Sequence, residues 1–484
     1  MPTVPNPAPV IVWFRRDLRL ADNPALSAAA DSGAPVIPLF IAEEDGTDGA
    51  ASRWWLHGSL EALAAGLQRL GTPLVLRRGD PAAVIRHLVE ETGAGTVLWN
   101  RRYDPAGVAR DRAIKADLRQ RGLRAASFNA SLLFEPWEVR SATGTPFRVF
   151  TPFWRRCLSG PPPAAPLPAP AALIGPPRPV AGDRPEDWGL RPTAPDWAGG
   201  LRAAWSPGEA AARAALADFL DGPVATYKSD RDRPDRPATS RLSPHLARGE
   251  IGPRQIWQAA RMAAGVRPDL APGVDAFLRE LGWREFAHHL LHAFPAMADT
   301  PLDPRFAAFP WRDDPAGLRA WQRGRTGFPI VDAGMRQLWR TGWMHNRVRM
   351  ITASFLVKDL LVPWQAGEAW FRDTLVDADP ANNAAGWQWV AGCGADAAPY
   401  FRVFNPVLQG EKFDPDGAYV RAHVPELRNL PAAWIHKPWA APANVLAAAG
   451  VRLGTDYPHP ILDHPAARDR ALLAYEGIKA AGRN

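Results

Sequence analysis

The sequence has few cysteines, no long apolar run and no glycine-rich dinucleotide motif. Its 2 cysteines, Cys157 and Cys393, form neither a disulfide framework nor the ligand spacing of a zinc or iron–sulfur site. No apolar run approaches the roughly 20 residues that a membrane-spanning helix needs. The first residues lack the basic and apolar regions of a signal peptide. These absences predict a soluble cytoplasmic protein with no metal site.

Tryptophan and positive charge are both abundant. Most of the 21 tryptophans are expected to pack in the core, because indoles are large and mainly apolar. An excess of this size also favours an aromatic ligand, base stacking or electron transfer. The formal net charge of +7 fits a polyanionic partner, and a solvated basic surface explains the same value. At 484 residues the chain is too long for one hydrophobic core, so two or three domains are expected.

The first part of the chain alternates short β-rich runs with helical stretches, which predicts a parallel sheet with covering helices. The predicted strands are Val10–Phe14, Val36–Ile41, Leu74–Arg77, Thr96–Trp99 and Arg124–Phe128, and the predicted helices include Ser59–Leu70 and Ala82–Thr92. Arg15, Arg16 and Asp17 follow the first strand where a dinucleotide-binding domain has G-x-G-x-x-G. We therefore predict an α/β domain at residues 1–135 without that fingerprint.

The rest of the chain divides into a proline-rich segment and a long helical region. Twelve prolines lie between Pro161 and Pro195, which excludes a continuous helix or a central strand there. We predict an interdomain linker at residues 136–205 that lies over the surface. Residues 206–484 have a helical pattern interrupted by loops, with no internal repeat. The predicted fold class is an α/β N-terminal domain followed by an all-α C-terminal domain.

A hydroxyl-rich segment, Thr239 to Ser243, precedes a predicted helix start. Ser243 as the N-cap and Pro244 as the first helical residue are typical of a helix N-terminus. The free N–H groups of such a terminus, two further hydroxyls and the guanidinium of Arg241 together can hold a phosphate. An ordinary capped helix with a surface arginine explains the same residues and, taken alone, is the more common case.

Two predicted helices carry polar and aromatic side chains where a buried helix usually has Leu or Val. Glu280, Trp283 and Arg284 share one face, which suits recognition of a flat ring that forms hydrogen bonds. A structural Glu280–Arg284 pair beside a packed indole fits the spacing equally well. Asn346 and Met350 lie four residues apart on the second helix. Because each buried polar group needs a partner, a polar ligand is expected in this half of the protein.

A further stripe runs through Asp379, Asn383 and Trp387, which repeat every four residues. Trp389 lies about 200° round the helix from Trp387, so the two indoles face different ways. One indole can then face a cofactor while the other lines a substrate cavity, or both can be core at opposite sides of the helix. Pro380 leaves open whether the helix extends back to Asp379.

Taken together, these segments resemble the photolyase/cryptochrome family. The matching motifs are W-F-R-R-D-L-R at 13–19, T-S-R-L-S at 239–243, E-L-G-W-R-E-F at 280–286, G-W-M-H-N-R at 342–347, G-W-Q-W at 386–389 and F-N-P at 404–406. The matches extend from Val10 to Phe413, across both predicted domains. The resemblance implies an N-terminal antenna-binding domain at 1–135 and a helical FAD-binding catalytic domain at 206–484.

The resemblance also implies a set of FAD-binding residues. Those expected at the phosphates and the ribityl chain are Tyr227, Thr239, Ser240, Arg241, Leu242 and Ser243. The other implied FAD-binding residues are Arg284, Asn346, Arg349, Asp377, Asp379 and Asn383. Arg349 and Asp377 are expected to form an ion pair beside the isoalloxazine. Asp379 is expected to form a hydrogen bond with the flavin, and Asn383 to face its N5 atom.

DNA that contains pyrimidine dimers is the implied partner, and light-driven repair of cyclobutane dimers by an electron from excited reduced FAD is the implied activity. Photolyases act on a dimer flipped out of the duplex. The residues implied at the dimer and the DNA backbone are Arg231, Glu280, Trp283, Asn346, Arg347, Met350 and Trp389. The implied catalytic residues are Glu280 and Asn383 together with Trp387, Trp364 and Trp311, which match the tryptophans of the family's electron relay.

Other passages, A-S-R-W-W-L at 51–56, Y-D-P at 103–105 and L-L-F-E-P-W-E at 132–138, resemble plant cryptochromes and class III bacterial photolyases. A blue-light photoreceptor with FAD and no repair activity is therefore the alternative. Asn383 and Trp389 stand where plant cryptochromes have an acidic residue and a tyrosine, and no long C-terminal tail follows the last helix, which favours repair. His345 is expected on another helical face than Asn346 and Met350, which favours a cyclobutane over a (6-4) substrate.

The residues indicate the identity of a second, antenna chromophore less directly than they indicate FAD. Ala106 and Gly107 stand where the best-known folate-binding photolyases have Asn and Glu, and we expect methenyltetrahydrofolate bound in the class III manner ahead of a deazaflavin or an empty site. Phe277 stands where the family often has tryptophan and is expected to pack on the cofactor side. No obligate protein partner is implied, and a monomer is expected. A flavin-free DNA-binding structural protein requires the polar residues of 377–383 to be incidental.

Overall fold

The computed structural model describes residues 7–43, 48–397 and 401–481. The N-terminal region is a five-stranded parallel sheet in the order β3-β2-β1-β4-β5. Its strands are β1 Val10–Phe14, β2 Val36–Ala42, β3 Val75–Arg78, β4 Thr96–Asn100 and β5 Arg124–Phe128. The five predicted strands are confirmed, with end residues that differ by no more than one position.

The central strand β1 explains why this sheet is parallel and covered on both faces. Val10, Val12 and Phe14 pack into the core on one side, and Ile11 and Trp13 pack into the core on the other. A strand that is apolar at every position needs helices on both faces, as in βαβ crossovers. The covering helices are α1 Pro24–Asp31, α2 Ala50–Leu70, α3 Pro81–Thr92 and α4 Pro105–Gln120.

The segment predicted as a linker contains regular structure. α5, Phe150–Leu158, buries Phe150, Phe153 and Trp154 in a core that it shares with Phe286. Its apolar residues have the three- and four-residue spacing of an amphipathic helix. The linker was nevertheless predicted to begin before α5, because the many prolines after Pro161 exclude a continuous helix there. The division of the chain into three domains stays a prediction.

The proline-rich stretch itself follows the edge of the α/β region. The Val36 amide donates to the Ile174 carbonyl at 2.7 Å, and the Asp183 amide donates to the Leu76 carbonyl at 2.8 Å. Trp188 lies in the core on one side of the sheet. Backbone hydrogen bonds to β2 and β3 thus hold a segment that has no continuous helix or strand of its own.

The C-terminal region is helical, which confirms the predicted fold class. Its helices are α6 Gly199–Ala204, α7 Glu209–Asp221, α8 Tyr227–Asp230, α9 Ser243–Arg248, α10 Pro253–Val266, α11 Ala271–Ala293, α12 Pro315–Gln322, α13 Pro329–Thr341, α14 Asn346–Ser354, α15 Trp364–Thr374, α16 Pro380–Ala391, α17 Pro406–Phe413, α18 Ala418–His423, α19 Ala432–Ile435, α20 Ala443–Ala449 and α21 His464–Ala481. α14 continues into a π-helical turn, Phe355–Asp359. Within the described ranges, no helix has the length and apolar character that crossing a membrane requires.

A buried carboxylate joins the two regions. Glu250 is fully buried and accepts hydrogen bonds from Trp55 Nε1 at 3.1 Å, Ser59 Oγ at 2.6 Å and the Gly208 amide at 2.7 Å. His245 lies against its other oxygen. Trp55 and Ser59 belong to α2, whereas His245 belongs to α9, so this one side chain positions the α/β region against the helical region.

We predict that Glu250→Ala lowers the free energy of unfolding by about 3–5 kcal/mol, because it leaves several buried donors without an acceptor. Urea denaturation followed by tryptophan fluorescence measures this change. Glu476→Ala, at a carboxylate on the exposed surface of α21, is the control and should change stability by less than about 0.5 kcal/mol. Equal effects of the two substitutions would contradict the role of Glu250.

Candidate functional site

Two adjoining cavities lie between helices α8, α9, α11, α14 and α16. The first, of about 430 Å³, contains Trp283, Trp387 and Trp389 in its wall and is called the tryptophan cavity here. The second, of about 330 Å³, contains Thr239, Ser240 and Ser243 and is called the hydroxyl cavity. The residues that line both are Arg231, Glu280, Trp283, Asn346, Arg349, Asp377, Asp379 and Asn382. A ligand in one cavity therefore meets the wall of the other.

The structure brings together the predicted site residues from segments that are far apart in the chain. In the tryptophan cavity these are Arg231, Glu280, Trp283, Asn346, Arg347, Arg349, Met350, Asp377, Asp379, Asn383, Trp387 and Trp389. The hydroxyl cavity adds Tyr227, Thr239, Ser240, Arg241, Leu242, Ser243 and Arg284. Phe277 also lines the hydroxyl cavity, beside Tyr227. Trp364 and Trp311 are not among the residues that line either cavity.

The hydroxyl-rich loop is positioned by its own backbone geometry and by a tryptophan from an earlier segment of the chain. Helix α9 begins at Ser243, so Ser243 is its first residue and Leu242 is the N-cap, one position earlier than predicted, and no side-chain cap bond forms. Arg241 has a φ of 52°, in the left-handed region that non-glycine residues rarely adopt. Its guanidinium lies 4.0 Å from the ring centre of Trp205. The turn at Arg241 and the burial of Leu242 place the neighbouring hydroxyls at the cavity wall.

The predicted pair of Arg349 and Asp377 is present, at 2.7 Å between Nη2 and Oδ2. The Nε atom of Arg349 donates to the Met344 carbonyl at 2.8 Å, which fixes the guanidinium. Asp377 is buried, and within the described part of the chain its Oδ1 atom has no hydrogen-bond partner. Because a buried carboxylate oxygen without a donor is costly, this atom indicates a ligand that supplies an N–H or O–H group.

Asp379 caps a helix instead of lying within it. It is the N-cap of α16 and accepts from the Asn382 amide at 2.8 Å, and Pro380 is the first helical residue. The predicted helical stripe therefore holds for Asn383 and Trp387 but does not include Asp379. Proline disfavours helical geometry at the preceding residue, which explains where the helix begins.

The charge of Asp379 is stabilised by its surroundings. Its carboxylate lies 3.6 Å from His288 Nε2 and 3.9 Å from Arg16 Nη1. Burial raises the pKa of the Asp379 carboxyl, but attraction from His288, Arg284 and Arg16 outweighs burial and brings the pKa to about 2. Asp379 is thus an ionised acceptor at the boundary of the two cavities. The predicted site residues did not include His288 or Arg16, which reach Asp379 only through tertiary packing.

Asn383 has a fixed orientation. Its Nδ2 atom donates to Glu368 Oε1 at 2.8 Å and to the Glu368 carbonyl at 3.2 Å. The amide nitrogen is thereby occupied, and the carbonyl oxygen is the group that a ligand in the cavity can use. Glu368 lies on α15, and burial raises the pKa of its carboxyl. No pattern in the sequence pairs Glu368 with Asn383, because the contact depends on how α15 packs on α16.

The two tryptophans at the mouth of the tryptophan cavity are held by separate contacts. Trp283 stacks on Phe150, with ring centres 3.8 Å apart and planes inclined by 9°. One face of Trp283 is therefore covered, and only the other can receive a ligand. Trp389 donates its Nε1 proton to the Asp396 carbonyl at 3.1 Å. Phe150 was not among the predicted site residues, because it lies in the segment interpreted as a linker.

The charged side chains at the cavity mouth are not paired as the helical spacing allowed. Glu280 pairs with Arg231 and not with Arg284, whose guanidinium donates to the Ser131 carbonyl at 2.7 Å. The structural Glu280–Arg284 pair that the helical spacing allowed is therefore wrong. Glu280 keeps its carboxylate at the cavity wall.

Three tryptophans lie along one hydrophobic core. Trp387 and Trp364 are buried, and Trp311 is half-buried and packs against the same cluster. Gly367 of α15 faces the Trp387 indole so closely that any β-carbon there would overlap the ring. Trp387 also contacts the ring of Trp321 at 6.2 Å between centres, a neighbour that the sequence motifs did not indicate.

His345 is the N-cap of α14, where its Nδ1 atom accepts from the Arg347 amide at 3.2 Å. As the N-cap it precedes the first helical residue, so it lies on no face of α14, whereas the prediction placed it on a helical face other than that of Asn346 and Met350; its side chain is buried. Asn346 and Met350 do line the cavity together, with Nδ2 and Sδ 4.0 Å apart. Of the residues that the structure describes, no histidine lines the tryptophan cavity.

Comparison with protein families places both regions in one group. Residues 10–171 match the family model described as DNA photolyase, and residues 277–477 match the model described as FAD binding domain of DNA photolyase. The two matches include β1 to β5 and the helices that carry most of the cavity walls.

Individual relatives agree with the family models. The chain is 54% identical over 474 residues to a deoxyribodipyrimidine photo-lyase of Agrobacterium fabrum, covering 98% of both proteins. It is 43% identical to Cryptochrome-1 of Arabidopsis thaliana, covering 98% of this chain and 71% of the plant protein. The fold is similar to the crystal structure of a bacterial class III photolyase from Agrobacterium tumefaciens, with a TM-score of 0.97, 52% identity and 99% coverage of both chains.

The site also has a pH signature that can be measured. Burial lowers the pKa of His288 to about 4, against the attraction of Asp379. The unfolded chain binds a proton here as the pH falls below about 6.5, whereas the folded chain does so only near 4, so stability is lost across this window. Through His288, the free energy of unfolding of the wild type should fall by about 1–2 kcal/mol between pH 7 and pH 5. We predict that His288→Asn abolishes this decrease.

Urea denaturation of the wild type and the variant at both pH values measures this difference, and other titrating groups cancel in the comparison. His87→Asn, at a largely exposed histidine, is the control and should leave the pH dependence unchanged. If the wild type and His288→Asn lose equal stability from pH 7 to pH 5, His288 is not a buried neutral group.

Proposed function

The chain belongs to the photolyase/cryptochrome family, and from that premise we propose that it repairs cyclobutane pyrimidine dimers in DNA with light, as a deoxyribodipyrimidine photo-lyase. The observation that carries the proposal is the common wall of the two cavities. That wall contains Asp377 and Asp379, which are expected to hold FAD, Glu280 and Trp283, which are expected to hold a dimer, and Asn346, which is expected at both. A cofactor in the hydroxyl cavity and a substrate in the tryptophan cavity would therefore lie next to each other.

The residues present fit FAD. The hydroxyl-rich loop with Tyr227 supplies donors and acceptors for phosphates and sugar, and the Oδ1 atom of Asp377, which has no donor among the described residues, needs one such as a flavin or ribityl group. Arg349 would neutralise charge beside the flavin, and Asn383 would offer its carbonyl oxygen. When bound and reduced, FAD supplies on light excitation the electron that splits the dimer, and the electron returns after the bonds have opened.

The tryptophan cavity suits a pair of fused, flat pyrimidines. Trp283 and Trp389 would replace the base stacking that a flipped-out dimer loses, and Glu280 would accept a hydrogen bond from a pyrimidine edge. Phe150 behind Trp283 makes that indole a fixed surface, because stacking at 3.8 Å leaves it little freedom. Arg231 and Arg347 at the mouth would contact the DNA backbone, which supplies affinity without reading sequence.

A blue-light photoreceptor without repair activity is the second candidate, favoured by the 43% identity to Cryptochrome-1 of Arabidopsis thaliana. Two residues of the tryptophan cavity argue for repair. Asn383 carries an amide, whose N–H groups are not acidic enough to protonate a neighbouring group as a carboxylic acid does, and its nitrogen is hydrogen-bonded to Glu368. Trp389 offers a larger stacking surface than tyrosine. Illumination of the prereduced protein with thymine-dimer DNA tests the proposal, and no recovery of thymine would refute it.

We propose methenyltetrahydrofolate as the second chromophore, at a site outside the sheet crevice. In a parallel sheet the favoured ligand crevice lies at the carboxyl ends of the strands where the order reverses, here between β1 and β4. Arg15 fills this position: it is buried, pairs with Asp111 at 2.7 Å and donates to the Asn100 carbonyl. A folate released from the purified protein on denaturation would support this assignment, and a released deazaflavin would refute it.

We further infer that the protein acts in the cytoplasm as a monomer. The proposed substrate is chromosomal DNA, which in a bacterium lies in the cytoplasm. One chain supplies all the residues of both cavities that the proposed reaction uses. Sedimentation analysis with and without DNA tests the monomeric state.

We predict that Trp389→Ala weakens binding to dimer-containing DNA by about 1–3 kcal/mol, the contribution of one aromatic stacking contact per base. Binding to undamaged DNA of the same sequence should change little, because backbone contacts remain. Fluorescence anisotropy with both DNAs measures the difference. Trp339→Ala, at a largely exposed indole that lines neither cavity, is the matched control. Unchanged affinity for the damaged DNA would remove Trp389 from the dimer site.

We predict that Trp387→Phe strongly slows the light-dependent loss of oxidised FAD absorbance. The proposed relay passes electrons from Trp364 to the cofactor through residue 387, and a phenylalanine there is not easily oxidised. Repair by chemically prereduced protein should remain largely intact. Absorbance spectra under blue light with an external reductant, and repair assays on the prereduced protein, measure the two activities separately. Loss of both activities would indicate that Trp387 has a structural role instead.

A further inference from the structure

The two arginines expected to contact DNA both carry a carboxylate partner within the protein. Arg231 pairs with Glu280, and Arg347 Nη2 pairs with Asp232 Oδ2 at 2.9 Å. Arg231 and Asp232 are neighbours in the chain, directly after α8, so the two pairs lie side by side at the mouth of the tryptophan cavity. Each arginine that is expected to bind a DNA phosphate is thus already paired with a carboxylate of the protein.

The pairs are placed where exchange with a phosphate is possible. Their side chains are one-fifth to one-third exposed, so neither pair is locked inside the core. Arg347 also lies over the Phe413 ring at 4.4 Å, and Arg231 lies over Tyr227 at 5.6 Å, which keeps each guanidinium in place when its carboxylate leaves. Partly exposed ion pairs contribute only about 0–1 kcal/mol, so a phosphodiester with two oxygens can compete for each arginine.

Asp232 also belongs to a second groove, which carries the basic residues Arg347, Lys412 and Arg468. Arg347 lines both this groove and the tryptophan cavity. A DNA strand that reaches the cavity would therefore pass the point where Asp232 offsets the positive charge. Asp232 lines neither cavity, so a direct role with the dimer or the flavin does not explain its position.

We propose that Asp232 and Glu280 act as internal competitors of DNA phosphate, and that Asp232 is a specificity-determining residue of the site. Every DNA must displace both carboxylates from Arg347 and Arg231, which weakens binding to undamaged DNA. Only a flipped-out dimer offsets the free-energy cost of this displacement, because the Glu280 carboxylate released from Arg231 then accepts a hydrogen bond from the pyrimidine. This inference rests on the proposed function, since it assumes that the cavity mouth faces DNA.

The exchange predicts a distinct salt dependence. A protein that neutralises a DNA phosphate releases the counterion of that phosphate, and each single-strand phosphate contributes about 0.7 to the slope of log K against log salt. A displaced carboxylate takes up a cation from solution and offsets part of this release. Asp232→Asn and Glu280→Gln remove the displaced charge, so they should bind undamaged DNA up to about fivefold more tightly and with a steeper slope.

Anisotropy titrations of undamaged single-stranded DNA with the full-length protein, over a range of salt concentrations, test the inference. Asp187→Asn is the matched control: it makes the same charge change at an Arg184–Asp187 pair in the proline-rich segment along the α/β region. Tighter binding and a steeper slope for Asp232→Asn and Glu280→Gln, with no change for Asp187→Asn, support the exchange. Undamaged-DNA affinity equal to that of the wild type in both variants overturns it.

Damaged DNA separates this inference from the function on which it rests. With dimer-containing DNA, Asp232→Asn should keep its affinity or gain a little, so its preference for damage falls by up to about fivefold. Glu280→Gln should lose more of that preference, because the pyrimidine contact is weakened as well. If wild-type protein shows no preference for dimer DNA and no repair, the proposed function fails. If it repairs dimers while Asp232→Asn keeps the full preference, only the exchange fails.

Discussion

The requirement that buried charges have partners organises the catalytic half of this protein. Asp377 and Asp379 lie in the common wall of the two cavities, where their side chains are 2% and 12% exposed. Arg349 pairs with the first carboxylate, and the Asn382 amide, the His288 imidazole and the Arg16 guanidinium surround the second. One oxygen of Asp377 has no donor within the described chain, which is why the wall needs a polar ligand to be complete.

The same requirement links the two halves of the chain. Arg16 follows strand β1, yet it reaches the Asp379 carboxylate at the cap of α16. Glu250 holds α2 against α9, because its carboxylate contacts Trp55 and Ser59 of α2 and His245 of α9. The α/β region is therefore part of the framework that holds the cavity wall, in addition to its proposed role in binding an antenna chromophore. A change at this boundary is expected to affect both the fold and the site.

Local signals in the sequence were sufficient for the sheet and for much of the site. Continuous apolar runs such as Val10–Phe14 predict strands, and the four-residue repeat of Asn383 and Trp387 predicts their common helical face. Contacts between distant segments were not predictable in this way. Phe150 stacks on Trp283 and Glu368 orients Asn383, and in neither pair does spacing along the chain indicate the partner. Family resemblance supplied roles for single residues and the Arg349–Asp377 pair, but not the pairing of Arg347 with Asp232.

The central claim is that a reduced flavin and a flipped-out dimer meet across the wall formed by Glu280, Trp283 and Asn346. The fluorescence of protein-bound reduced FAD tests this most directly, because electron transfer to a neighbouring dimer competes with emission. Addition of thymine-dimer DNA should quench the emission, whereas undamaged DNA of the same sequence should leave it unchanged. Equal emission with both DNAs, at concentrations that saturate the protein, would contradict the account.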